Sequence, residues 1–132
     1  MINKILKKKK KDKIICLTAY SKNLASIIDN YCDIILVGDS LANVVYGMSH
    51  THEITLSTII QHAQSVRKGT KKSLLVVDMP KGSYDNVAKA VKNAKIIKKK
   101  TKCDAVKIES NKKNFNIIET LVKKNIPVMG HI

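Results

Sequence analysis

Apolar residues recur along this chain in two alternating rhythms. Unbroken runs such as Ile34–Val37 (IILV) and the LLVV at residues 74–77 are what a strand buried on both faces requires. Between such runs, apolar residues fall three and four apart, as at Leu24, Ile27, Ile28 and Tyr31, and again at Ile59, Ile60, Ala63 and Val66. That spacing places them on one face of a helix. The pattern predicts a lead-in helix over 2–11, an apolar strand from Ile14, a helix over 21–31 and a strand at 34–37. A polar loop follows, then a helix from Thr55 or Leu56 that stops at Gly69. A strand at 73–78, a helix over 83–99, a strand at 105–109, a helix over 114–125 and a strand at 126–131 complete the series. No linker rich in Pro, Gly or Ser interrupts it, so residues 1–132 read as a single α/β domain. Strands alternating with helices imply a parallel sheet with right-handed crossovers.

The strands end on charged groups. Asp39 follows the second apolar run, Asp78 ends the third, Lys107 and Glu109 end the fourth, and His131 ends the fifth. In a parallel α/β fold those ends share one face of the sheet, where barrels and open sheets build their sites. Three carboxylates gathered there must lose water, which is costly without a counter-charge. A metal ion supplies one. Oxygen donors with no Cys or His cluster suit magnesium or manganese rather than zinc, and magnesium keeps waters, so one or two of the acids act through water. The competing reading is that each acid caps the following helix, and for Ser40 capping and substrate contact both stand. His131 is a further candidate for orienting substrate or water. His50 and His52 read as solvated loop residues, His62 as surface or interface packing, and Tyr20 and Tyr84 as rim packing.

Charge changes the picture less than its size suggests. The chain has 132 residues, 25 basic and 10 acidic, a formal net charge of +15. Such a balance ordinarily points to nucleic acid or an anionic membrane surface. Here every basic residue except Arg67 is lysine and aromatics make up 4%, whereas base readout and stacking favour arginine and aromatic side chains. The expectation is no specific nucleic-acid partner, with the lysine excess following codon bias. No apolar run is long enough to cross a bilayer, and the lysine-rich start lacks a secretory apolar stretch. A cytoplasmic protein with no membrane partner is expected. Cys16, Cys32 and Cys103, odd in number and widely spaced, read as buried free thiols.

An ordered set of motifs carries a family resemblance: TAY at 18–20, VGDSL at 37–41, GMSHTHEIT at 47–55, VRKG at 66–69, DMPKGSY at 78–84, VKIE at 106–109 and IPVMGHI at 126–132. Together they resemble ketopantoate hydroxymethyltransferase. The resemblance implies a parallel (β/α)8 barrel of the phosphoenolpyruvate/pyruvate superfamily and magnesium dependence. It also implies a homodecamer and a role in pantothenate and coenzyme A synthesis. It implies that Asp39, Asp78 and Glu109 surround the metal, and that Asp39, Ser40, Asp78 and Lys107 contact 3-methyl-2-oxobutanoate. Methylenetetrahydrofolate would donate the hydroxymethyl group, giving 2-dehydropantoate. Two positions depart from the family pattern: Ala42 stands where glycine is usual, and Lys81 where an apolar aromatic is usual. An eight-strand barrel takes roughly 250 residues, so a barrel cut off after about five strands is expected. The family's proton-abstracting glutamate would then lie in the missing half, with impaired turnover as the consequence. Two other readings stand beside this one. One is a different superfamily enzyme that makes or breaks a carbon–carbon bond next to a 2-oxo acid; the other is a non-catalytic remnant or basic binding protein.

Overall fold

The computed structural model describes residues 2–132. Five parallel strands, β1 (Cys16–Thr18), β2 (Ile34–Val37), β3 (Leu74–Asp78), β4 (Ala105–Glu109) and β5 (Val128–His131), stand in the sheet in chain order. Six α-helices accompany them: α1 (Ile2–Lys8), α2 (Lys22–Ile28), α3 (Leu41–Val44), α4 (Leu56–Gly69), α5 (Val87–Thr101) and α6 (Phe115–Lys123). Each strand pairs with the next one along the chain. That sequential parallel order is the wall of a (β/α) barrel, not the reversed order of a doubly wound sheet.

Alternation along each strand sorts side chains to two sides. Ile35, Val37, Leu75, Val77, Val106 and Ile108 join Ile59, Ala63, Val66, Ala90, Ala94, Ile97 and Leu121 of the helices in the main core. Their neighbours Ile34, Leu74, Val76 and Ala105 form a second cluster on the opposite face, with Ile2 and Ile5 of α1 packed against it. Burial on both faces is why these strands lack polar alternation. Each large side chain that is fully buried contributes about 1.5–3 kcal/mol. On the second face the same alternation sends Asp78, Lys107 and Glu109 to the carboxyl-terminal ends.

Several boundaries differ from the sequence reading. The lead-in helix ends at Lys8 rather than residue 11, because the lysine run repels itself and Lys10 turns into the left-handed region at φ 64°. The last strand begins at Val128, not 126, since Pro127 has no N–H to give the ladder. The polar loop contains α3 and a 3-10 turn at Thr51–Glu53. Gly69 is buried as the last residue of α4, where a Cβ would meet the Lys22 carbonyl oxygen at 2.3 Å. It permits close helix contact, not a left-handed cap. All three cysteines are free, yet only Cys103 is buried. Cys16 is exposed because β1 pairs on one side only.

Candidate functional site at the strand ends

The register carries the charged groups to one place. Asp78 of β3 lies opposite Lys107 of β4, and Glu109 of β4 lies opposite His131 of β5. Lys107 Nζ donates to Asp78 Oδ2 at 2.9 Å and to Glu109 Oε1 at 3.1 Å. The Asp39 backbone N–H donates to the same Asp78 oxygen at 3.2 Å. His131 Nδ1 lies 2.8 Å from both Glu109 oxygens, so it donates to the carboxylate. Next to Asp39, a Cβ at Gly38 would come within 3.3 Å of Ser40 Oγ and 3.8 Å of Asp78 Oδ2. Glycine there leaves the turn room to bring both side chains together.

Burial sets the electrostatics. The Asp78 side chain is 4% exposed and that of Lys107 10% exposed. Burial pushes the Asp78 carboxyl above the ordinary aspartate range, and the Lys107 ammonium only partly offsets it. The same contact acts more fully on Lys107. Burial works against its charge, but the Asp78 and Glu109 carboxylates hold it above the usual lysine value. The less buried partner keeps its charge more easily, so one contact produces different net shifts. Burial also opposes the Glu109 charge, and His131 and Lys107 together bring that carboxyl below its ordinary value.

Ser40 does not cap α3 with its side chain. Its hydroxyl instead lies 2.8 Å from the Tyr20 hydroxyl. Two further residues read from sequence as packing belong to this region. The Tyr84 phenol is raised first by burial and then by the charges of Glu109 and Asp78. His62 reaches the Tyr20 carbonyl. His50 and His52 are stacked on each other at a centroid distance of 5.0 Å, and the 3-10 turn holds them through the His50 N–H bond to Glu53. Ala42, in α3, is fully buried and its methyl fills core space, whereas Lys81 is exposed.

The donor set fits a hard divalent cation in its chemistry: carboxylate oxygens, with a hydroxyl and an ammonium alongside. Its arrangement is open. Among the described residues, no three of His, Cys, Asp and Glu form a ready-made cage, and the Lys107 ammonium stands between Asp78 and Glu109. Asp78 Oδ1 takes no protein donor among the described residues. A cation joining this group would take such outward oxygens and reach the remaining acid through water.

This is an α/β protein whose parallel strands follow the sequential order of a (β/α) barrel, and solved structures share its fold. The chain matches 2,3-dimethylmalate lyase, described as a member of that superfamily, with a TM-score of 0.70 at 12% identity, over 98% of this chain and 51% of that one. It matches oxaloacetate acetylhydrolase bound to 3,3-difluorooxalacetate with a TM-score of 0.65 at 10% identity, over 89% of this chain and 47% of that one. The chain belongs to the ketopantoate hydroxymethyltransferase family, whose model matches residues 1–132. Among curated relatives, 3-methyl-2-oxobutanoate hydroxymethyltransferase of Pelagibacter ubique (strain HTCC1062) is 60% identical over 127 residues, covering 96% of this chain and 49% of the relative. The enzyme of the same name from Anaplasma marginale (strain Florida) is 49% identical over 125 residues, covering 95% of this chain and 45% of the relative. The chain thus spans about half the length of the curated relatives it matches. No helix among the described residues is long and apolar enough to cross a membrane.

Proposed function

We propose that this chain provides the oxo-acid-binding and metal-binding half of a ketopantoate hydroxymethyltransferase, acting in pantothenate synthesis in the cytoplasm. The single observation that supports the reading most is the Asp78–Lys107–Glu109 group at adjacent strand ends. A buried ammonium flanked by two carboxylates suits a 2-oxo acid, because Lys107 can turn from a neighbouring carboxylate to the ligand's. Ser40 supplies a hydroxyl beside it. Asp39, Asp78 and Glu109 would hold Mg2+, with Glu109 the one to act through water, since Lys107 and His131 already occupy its oxygens. When bound, the cation polarises the keto oxygen and makes the neighbouring C–H more acidic. Lys107 offsets the negative charge the ligand brings. The homodecameric assembly and the use of methylenetetrahydrofolate are proposals carried by family membership.

Calorimetric titration of 3-methyl-2-oxobutanoate into the chain with Mg2+ present tests the reading. The expected result is binding that weakens at least tenfold when Mg2+ is withdrawn, and again for Asp78→Asn. Equal affinity for 3-methylbutanoate, which lacks the keto oxygen, would overturn it. Formation of 2-dehydropantoate by the 132-residue chain is expected to be slight. Absent general-base assistance typically costs a factor of about 10² to 10⁴, and in this reading the strand-end acids serve the metal and Lys107.

A further inference from the structure

We propose that His62, held between Tyr20 and Tyr46, is a positioning residue that fixes the Tyr20–Ser40 hydroxyl pair and thereby aims the Ser40 hydroxyl at the ligand. The inference rests on the oxo-acid reading for its ligand, while the clamp itself stands on geometry. His62 Nδ1 lies 2.7 Å from the Tyr20 carbonyl oxygen. A carbonyl only accepts, so Nδ1 carries the proton, and in the neutral ring Nε2 is left as an acceptor. The Tyr46 hydroxyl, 3.0 Å away, donates to it. The two rings meet edge to face, with centroids 5.8 Å apart and planes at 86°. One imidazole therefore joins three elements: the end of β1, the segment after α3, and α4.

The position of the clamp explains what it can do. β1 has three residues and pairs only with β2, so its carboxyl end is tied into the sheet from one side. The ladder extends as far as the Ala19 N–H bond to Leu36. Tyr20 comes next, immediately before the Ser21 cap of α2. His62 supplies the second tie at that residue. On α4, His62, Ser65 and Gly69 lie on one side: Ser65 Oγ accepts from the Lys22 N–H at 3.1 Å, and Gly69 lets the two backbones close. The helix is thus pinned along the start of α2, and His62 sits at the end of that seam nearest the strand ends. With Tyr20 fixed, its hydroxyl meets Ser40 Oγ at 2.8 Å. When Tyr20 donates this bond, the Ser40 hydrogen is free to point at a carboxylate or keto oxygen.

Two measurements on the full 132-residue chain test this. In long-range 1H–15N spectra of the ligand-free protein above pH 8, His62 is expected to be the Nδ1–H tautomer. Tyr46→Phe is expected to move the Ser40 amide resonance while leaving the melting temperature within a degree or two. An Nε2–H tautomer, or a Ser40 resonance blind to Tyr46→Phe, would overturn the clamp whether or not any ligand binds. Titration of 3-methyl-2-oxobutanoate with Mg2+ reads the consequence. Tyr46→Phe is expected to weaken binding roughly threefold to tenfold and Tyr20→Phe about tenfold, the scale of one hydrogen bond. In a Ser40→Ala background both changes are expected to have no further effect, because both act through that hydroxyl. Additive losses would contradict positioning through Ser40. If the unaltered chain binds no oxo acid, the proposed function fails, and the clamp is judged by the spectra alone.

Discussion

Replacing Lys107 with methionine removes the ammonium and keeps most of the volume, leaving Asp78 buried without its cation. Breaking a buried pair in this way costs about 3–5 kcal/mol. The size can be bounded from the acid itself. Asp78 titrates near 3.9 in the unfolded chain, and each unit of upward shift on folding is worth 1.36 kcal/mol. Its side chain is 4% exposed, and burial already raises its carboxyl with the lysine present. Without Lys107 the folded value climbs further. A group whose folded value lies above its unfolded value binds protons more tightly in the fold, so stability falls as pH rises between the two. The loss is therefore expected to be about 1 kcal/mol at pH 4.5 and about 4 kcal/mol at pH 7, because keeping the buried acid protonated costs about 1.36 kcal/mol for each pH unit above its unfolded value. Urea denaturation followed by circular dichroism at both pH values measures it, provided the slope with denaturant is unchanged. Asp78→Asn added to Lys107→Met is expected to recover most of the loss at pH 7. A loss independent of pH, or a double variant no better than the single one, would refute the view that an uncompensated Asp78 charge is the cause.

Three further outcomes are expected. Asp29 accepts the backbone N–H groups of Lys71, Lys72 and Ser73; burial opposes its charge, but those donors bring the carboxyl below its ordinary value. Asp29→Ala should cost about 2–4 kcal/mol in urea titrations at pH 7. That contribution is present above the ordinary aspartate value and fades as pH falls through the lower folded one. Gly69→Ala should cost about 1–3 kcal/mol by the same titration, because its Cβ would meet backbone, the Lys22 carbonyl at 2.3 Å; a neutral result would mean α2 and α4 separate freely. Binding to DNA, followed by fluorescence anisotropy, should be indifferent to sequence and fall steeply between 50 and 200 mM salt.

The strand ends were legible in the sequence because they depend on short-range pattern. Runs such as 34–37 and 74–77 marked strands, and the first charged residue after each marked its end. Element limits were blurred where charge repulsion shortened a helix, as at Lys10, or a proline delayed a strand, as at Pro127. The Tyr20–Ser40–His62 constellation was not legible. His62 meets Tyr20 across 42 positions and Tyr46 across 16, contacts that only tertiary packing creates. The available signal was that His62, Ser65 and Gly69 share a helix side, which reads equally well as surface. Ser40 was open between cap and ligand contact, and the neighbouring tyrosine, not the helix, holds its hydroxyl.

Manganese in place of magnesium offers the most direct test of the strand-end carboxylates as a metal site, because its electron paramagnetic resonance reports free and bound ion separately. Titrated into the chain with 3-methyl-2-oxobutanoate present, Mn2+ is predicted to bind at one site per chain, at least tenfold more tightly than without the oxo acid. That site should be lost in both Asp39→Asn and Asp78→Asn and weakened in Glu109→Gln. Mn2+ binding of equal strength in the unaltered chain and the Asp78→Asn variant would contradict the account.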